Sequence, residues 1–270
     1  MPNPSSNPID SSTSDGDSHS NGSQSTITSS SENQRQAFEN AAKAIVGESS
    51  TCSSDSTSFR SEIGNLESWA SDKAFLIPEE NFDDFDLVSD STSEHQVFLR
   101  QADSRVVKRT LAGVYGQIPV PNSGKLDRRN ARPSEYLKRM ALQLAVFGGD
   151  ISLEGVTVSD KPSMVLFEPA GQPSFVISQR WYERAATATD EIIHDFLVRE
   201  GFRAVPQSYF GWYRPEDRVV IVDAKPDNFI LTDAGLVPID LQMSQFSECE
   251  VEEAGLRGDV DAPVIFIPRS

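Results

Sequence analysis

Asp223-Ala224-Lys225-Pro226-Asp227-Asn228, with Asp240 twelve residues beyond the asparagine, is a set of side chains that could transfer a phosphoryl group. Such chemistry needs one carboxylate to accept the proton of an attacking hydroxyl. It needs a nearby lysine to neutralise charge on the transferred group, and an amide and a second carboxylate as hard oxygen ligands for Mg²⁺. Asp223, Lys225, Asn228 and Asp240 supply these four in order. The competing reading is a solvated acidic loop joining two strands.

The elements around the loop must bring Asp240 back to Asn228. Phe229–Thr232 and Leu236–Ile239 are β-rich runs separated by Asp233-Ala234-Gly235, a turn signal, so a hairpin is predicted. Tyr209–Arg214 and Arg218–Asp223 predict the hairpin that leads into the loop, turning at Pro215-Glu216-Asp217. Upstream, 95–100 and 105–110 read as paired strands. Pro133 opens a helix whose apolar face is Leu137, Met140, Ala141, Leu144 and Phe147, closed by Gly148-Gly149. Met164–Phe167 and Ser174–Ser178 predict two further strands around Gly171, and Asp190–Glu200 a second helix. Nearer the N-terminus, 34–46 and 59–71 carry apolar residues at helical spacing.

Composition sets the limits. The chain has 270 residues and a net charge of −17, with 5 Lys+Arg against 17 Asp+Glu in residues 1–100. That balance makes general nucleic-acid binding a poor expectation. The one basic run, Lys125 to Arg132, reads as a solvated loop before a helix. Residues 1–35 are dominated by Ser, Asn, Asp, Gly and Thr, and are expected to be disordered. The expected division is a Ser-rich acidic tail over 1–57 and a folded domain over 58–270. Cys52 and Cys249 make no disulfide framework, and the scattered histidines no zinc site. The absence of an apolar run of membrane-spanning length leads to an expectation of a cytoplasmic protein that does not contact membrane.

Taken together, Glu94-His95-x-Val97, Val107-Lys108, Glu135-Tyr136-Leu137, Ser178-Gln179, the loop Asp223 to Asn228 and Pro238-Ile239-Asp240 give the chain a resemblance to the protein-kinase-like superfamily. More narrowly, it resembles the small, divergent kinase-like domains of bacterial and phage polyvalent proteins. The resemblance covers roughly residues 60–270. It implies an α+β, minimal bilobal fold with an N-lobe over about 85–178 and a truncated C-lobe over about 182–270. It also implies ATP and Mg²⁺ as cofactors, with Asp223 the catalytic base and Lys225 the lysine that meets the γ-phosphoryl. Asn228 and Asp240 are then the metal ligands and Lys108 the lysine on the α/β-phosphates. Glu135 is the implied ion-pair partner of Lys108. Adenine would lie against the backbone from Ser178 and Gln179 to Trp181. Read as residues alone, Lys108 is a strand lysine and Glu135 a carboxylate suited to a helix N-terminus.

The sequence also departs from the pattern. Ile221-Val222 stand where typical kinases place His-Arg, and Leu241-Gln242 where Phe-Gly is usual. The turn over the phosphates is Ser89 to Glu94 and contains no glycine; Asp90 and Glu94 would repel phosphate. Thirty residues follow Asp240, too few for the helical region that binds peptide substrates in ordinary kinases. The expected function is an ATP- and Mg²⁺-dependent phosphotransferase acting on a protein hydroxyl or a small molecule. The alternatives are a catalytically weak kinase-like nucleotide-binding or scaffold module (a pseudokinase), or transfer of AMP.

Overall fold

The structure is a computed structural model that describes residues 22–46, 55–89, 94–159, 171–206, 208 and 210–257. It is mixed α+β, with five helices and several antiparallel sheets among these residues. No helix of the described residues is long and apolar enough to cross a membrane.

The first sheet is built from β1 (Asp86–Ser89), β2 (His95–Arg100), β3 (Arg105–Thr110), β6 (Ile151–Val158) and β7 (Pro173–Arg180), in the order β1-β2-β3-β7-β6. Its neighbours are antiparallel throughout. Against it lies helix α3 (Pro133–Phe147), whose Tyr136, Leu137, Met140 and Leu144 pack on Ile151, Val156, Phe175 and Ile177. Pro133 sits at the first turn, where its missing N–H has no helical partner to lose.

Two helices complete this core. Helix α1 (Gly22–Val46) contains the predicted 34–46 segment but starts earlier. Its Phe38, Ala41, Ala42 and Ile45, at i, i+3, i+4 and i+7, are fully buried in the same cluster. Gln34 ties it to β6 through Nε2, which donates to Ser152 Oγ at 3.0 Å. Helix α2 (Asp55–Asp72) adds Leu66 and Ala70. The folded unit therefore includes helix α1, and a boundary at 57/58 would cut through its core. The short apolar stripe on α1 packs in the same cluster as the apolar face of α3.

The second sheet has the order β13-β10-β9-β8, from β8 (Arg203–Ala204), β9 (Trp212–Arg214), β10 (Val219–Val222) and β13 (Gln242–Gln245). Helix α4 (Asp190–Arg199), capped by Thr189, packs Ile193 and Leu197 onto Trp212, Val219 and Ile221. The predicted hairpin after the polar loop is present as β11 (Phe229–Thr232) and β12 (Gly235–Pro238). A short helix, α5 (Glu248–Glu253), follows β13 and opens with a Ser247/Glu250 capping box.

One strand expectation changes. The basic run is not a solvated loop: Lys125–Asn130 forms β5, paired with β4 (Gln117–Asn122). This hairpin lies between β3 and α3 in sequence and reaches over to the end of α5, where Gly124 N donates to Glu253 O at 2.8 Å. Leu126 packs against the cluster of Val205, Tyr213, Val220 and Phe246. Strand β7 pairs with β3 on one side and on the other with β6, the alternating Ile151–Val158 segment; the predicted strand Met164–Phe167 lies outside the described residues. Cys249 is free and exposed, and Cys52 also lies outside the described residues.

Candidate functional site

Strand β10 is apolar and wholly buried, and Asp223 follows directly on its last residue, Val222. There the chain turns sharply: Asp223 has φ +63°, a left-handed conformation that a short polar side chain tolerates best. The turn lets Asp223 O accept from Lys225 N at 2.8 Å and from Asn228 Nδ2 at 2.6 Å. Asn228 Nδ2 also donates to Asp223 Oδ2 at 3.0 Å, and Lys225 Nζ lies 3.2 Å from the same oxygen. Pro226 starts a single 3-10 turn, closed by Asn228 N on Lys225 O. The amide oxygen of Asn228 is left as the atom of that side chain that can meet a cation.

The return of the hairpin is fixed by Ile239 N, which donates to Asn228 O at 3.0 Å. Asp240 follows directly. Lys108 Nζ comes down from β3 to donate to Ile239 O at 2.8 Å. Asp223, Lys225, Asn228 and Asp240 therefore line one cleft of about 610 Å³ with Lys108 and Gln179. Its apolar walls include Val97 and Val106 from the first sheet and Ile230 and Ile239 from the hairpin side, with Trp181 partly exposed among its lining residues. Asp240 keeps 31 % of its side chain exposed. Burial alone would raise its pKa, but Lys108 foremost, then His95, Arg139 and Lys225, hold it below the ordinary aspartate value.

Beneath the cleft lies a buried polar group that the sequence reading did not assemble. Arg139 of α3 pairs with Glu94 through both guanidinium nitrogens, one of them Nη1 at 3.2 Å from Oε2. His95 Nε2 is 3.1 Å from Tyr136 Oη, and its Nδ1 is 4.0 Å from Asp240 Oδ2. Burial pushes the His95 imidazole below its ordinary pKa, against the pull of Glu94 and Asp240. Gly116 makes room for Glu94, since a Cβ there would sit 2.1 Å from a carboxylate oxygen. Glu94 therefore does not stand in the cleft as an unpaired repulsive charge. One signal was available: Tyr136, Arg139 and Gln143 lie at i, i+3 and i+7, a polar stripe beside the apolar one.

One expected role is not met. Glu135 does not reach Lys108. It accepts from Arg132 N at 2.8 Å in the capping box of α3 and pairs with Arg129 and Arg132, which hold its pKa down to about 2 against the opposing effect of burial. It occupies the first turn of α3, where these partners lie close at hand. The Ser178 side chain faces away from the cleft, accepting from Arg105 Nε at 2.8 Å and donating to Glu154, because alternate residues of β7 face opposite ways; the expectation for Ser178 concerns its backbone, on which this orientation does not bear. Its neighbour Gln179 faces the cleft.

No protein-family model, curated protein or solved structure matches the chain.

Proposed function

We propose that the chain is a minimal kinase-like phosphotransferase that uses ATP and Mg²⁺. The observation that carries this reading is the meeting of Asp223, Lys225, Asn228, Asp240 and Lys108 in one cleft with apolar walls. Those walls suit a planar base, and the polar floor suits a polyphosphate. The donor set fits the metal: the Asp240 carboxylate, held ionised, and the Asn228 amide oxygen are hard ligands of the kind Mg²⁺ takes. Bound there, Mg²⁺ would neutralise phosphate charge.

The residues of this chain divide the remaining work. Asp223, oriented by Asn228, accepts the proton of the acceptor hydroxyl. Lys225, beside Asp223, meets the transferred phosphoryl. Lys108 reaches the phosphates from β3, steadied by Ile239 O.

A second reading, a nucleotide-binding module with weak or no catalysis, draws on one observation. Glu135, the α3 carboxylate expected to pair with Lys108, is committed to Arg129 and Arg132.

A thermal-shift titration with ATP and Mg²⁺, separately and together, tests nucleotide binding. Stabilisation that needs both supports the site, stabilisation by ATP alone leaves only the binding module, and no stabilisation by either rejects both readings. Labelled-ATP turnover then separates the enzyme from the binding module.

A further inference from the structure

The β4–β5 hairpin puts a cation beside Asp223 that the phosphotransferase reading does not use. Arg128 Nη1 lies 3.7 Å from Asp223 Oδ1, with 47 % of the Arg128 side chain exposed. At that distance the pair is not a hydrogen bond, and an exposed pair of this kind contributes little to stability. Among the described residues the Arg128 guanidinium makes no hydrogen bond at all. Its planar fork, built to grip a carboxylate or phosphate at two points, is therefore held next to the assigned base with its donors unused.

The placement is fixed by the fold. Leu126 and Arg128 are two apart on β5 and share a face. Leu126 is anchored in the apolar cluster of the second sheet, and the hairpin tip is tied by Gly124 N to Glu253 O. Arg129, on the other face, is engaged by Glu135. The hairpin thus sets Arg128 against Oδ1 of Asp223, on the carboxylate oxygen that Lys225 does not approach. Strand β13 begins two residues after Asp240 and pairs at once with β10, so the chain offers no loop there as a platform for a peptide.

We propose that Arg128 is the acceptor-binding residue, and that the acceptor is a small hydroxyl compound bearing an anionic group, phosphate or carboxylate. The proposal rests on the phosphotransferase reading. The anion sits on the Arg128 fork, which releases its loose contact with Asp223 and leaves that carboxylate free to act as base. The acceptor hydroxyl oxygen bonds to the γ-phosphorus of ATP. The bond from that phosphorus to the bridging oxygen breaks, and its electron pair leaves with ADP. The hydroxyl proton passes to Asp223.

The test uses the full chain with its nucleotide site saturated by ADP and Mg²⁺, saturation being read by thermal shift. Glycerol, glycerate and glycerol 3-phosphate, and ribose, ribonate and ribose 5-phosphate, are then titrated calorimetrically. In at least one series the anionic compound should bind at least tenfold more tightly than its neutral parent. The better of the carboxylate and phosphate arms identifies the anion. Arg128→Gln should erase the difference and Arg128→Lys should keep part of it, with the ADP shift unchanged in both. Equal binding of neutral and anionic compounds in both series, or a preference that survives Arg128→Gln, overturns the proposal and leaves the phosphotransferase reading standing. Failure of ADP and Mg²⁺ to bind removes that reading, and the proposal with it.

Discussion

Arg139 and Glu94 form a two-point ion pair inside the protein, joining the middle of α3 to the residue that opens β2. The Arg139 side chain is fully buried, and Tyr136 stacks beneath its guanidinium at 5.1 Å. Glu94 and Asp240 raise the arginine pKa above its ordinary value although burial opposes them. The pair thus fixes the distance between α3 and the strands that roof the cleft. Such a pair adds little net stability compared with a well-packed apolar substitute, yet breaking it leaves a stranded charge.

Glu94→Gln should therefore destabilise the protein by about 3–5 kcal/mol. The double variant Glu94→Met/Arg139→Met should recover most of that loss. Urea unfolding of the three proteins checks this; a single variant within about 1 kcal/mol of wild type would refute the role given to the pair.

Asp223→Asn and Asp240→Ala should fail in different ways. Asp223→Asn is expected to cut turnover by about 10²–10⁴-fold while ATP and Mg²⁺ still raise the melting temperature. Asp240→Ala should abolish the Mg²⁺-dependent part of that rise, because Asp240 is the carboxylate assigned to the metal. Identical thermal shifts in the two variants would contradict the division of labour.

Glu135 predicts an acid-sensitive cap. Its folded pKa is lowered from 4.5 to about 2, so its contribution is complete above the unfolded value and is lost as pH falls from about 5 to 2. The shift corresponds to at most about 3 kcal/mol, and to less once solvent screening of the exposed Arg129 is allowed for. Glu135→Gln should flatten the fall in stability across that window. A wild-type slope in the variant would count against it.

The sequence made the polar loop and its return legible because both are local. Asp223, Asn228 and Asp240 are separated by short segments whose turn residues and β-rich runs leave few ways to fold. Glu135 was misplaced because its spacing from Pro133 fits two roles, and a capping box formed within three residues wins over a distant lysine. The partnership of Arg139 with Glu94 spans 45 residues and has no local signature beyond a polar residue next to an apolar stripe. Strand β6 was overlooked because the apolar run at Met164–Phe167 reads more strongly than the alternation of Ile151–Val158. The basic run was read by charge, whereas its role follows from Leu126, one apolar residue among charged neighbours that anchors the hairpin.

Helix α1 offers the most direct test of where the folded unit begins. A chain shortened to residues 58–270 would lack Phe38, Ala41, Ala42 and Ile45, each within 1 % of complete burial. It would uncover the faces of α3 and β6 on which they rest and remove the Gln34 bonds to Asp150 and Ser152. Phe38→Ala alone should cost about 3–5 kcal/mol, the usual penalty for emptying a buried phenylalanine site. The shortened chain should lose more than this and show early, broadened thermal unfolding. A chain beginning at residue 22 keeps the whole of α1 and should melt cooperatively, with Phe38→Ala in that background lowering the midpoint by several degrees. If the 58–270 chain unfolds at the same urea concentration as the full protein, α1 is not part of the core.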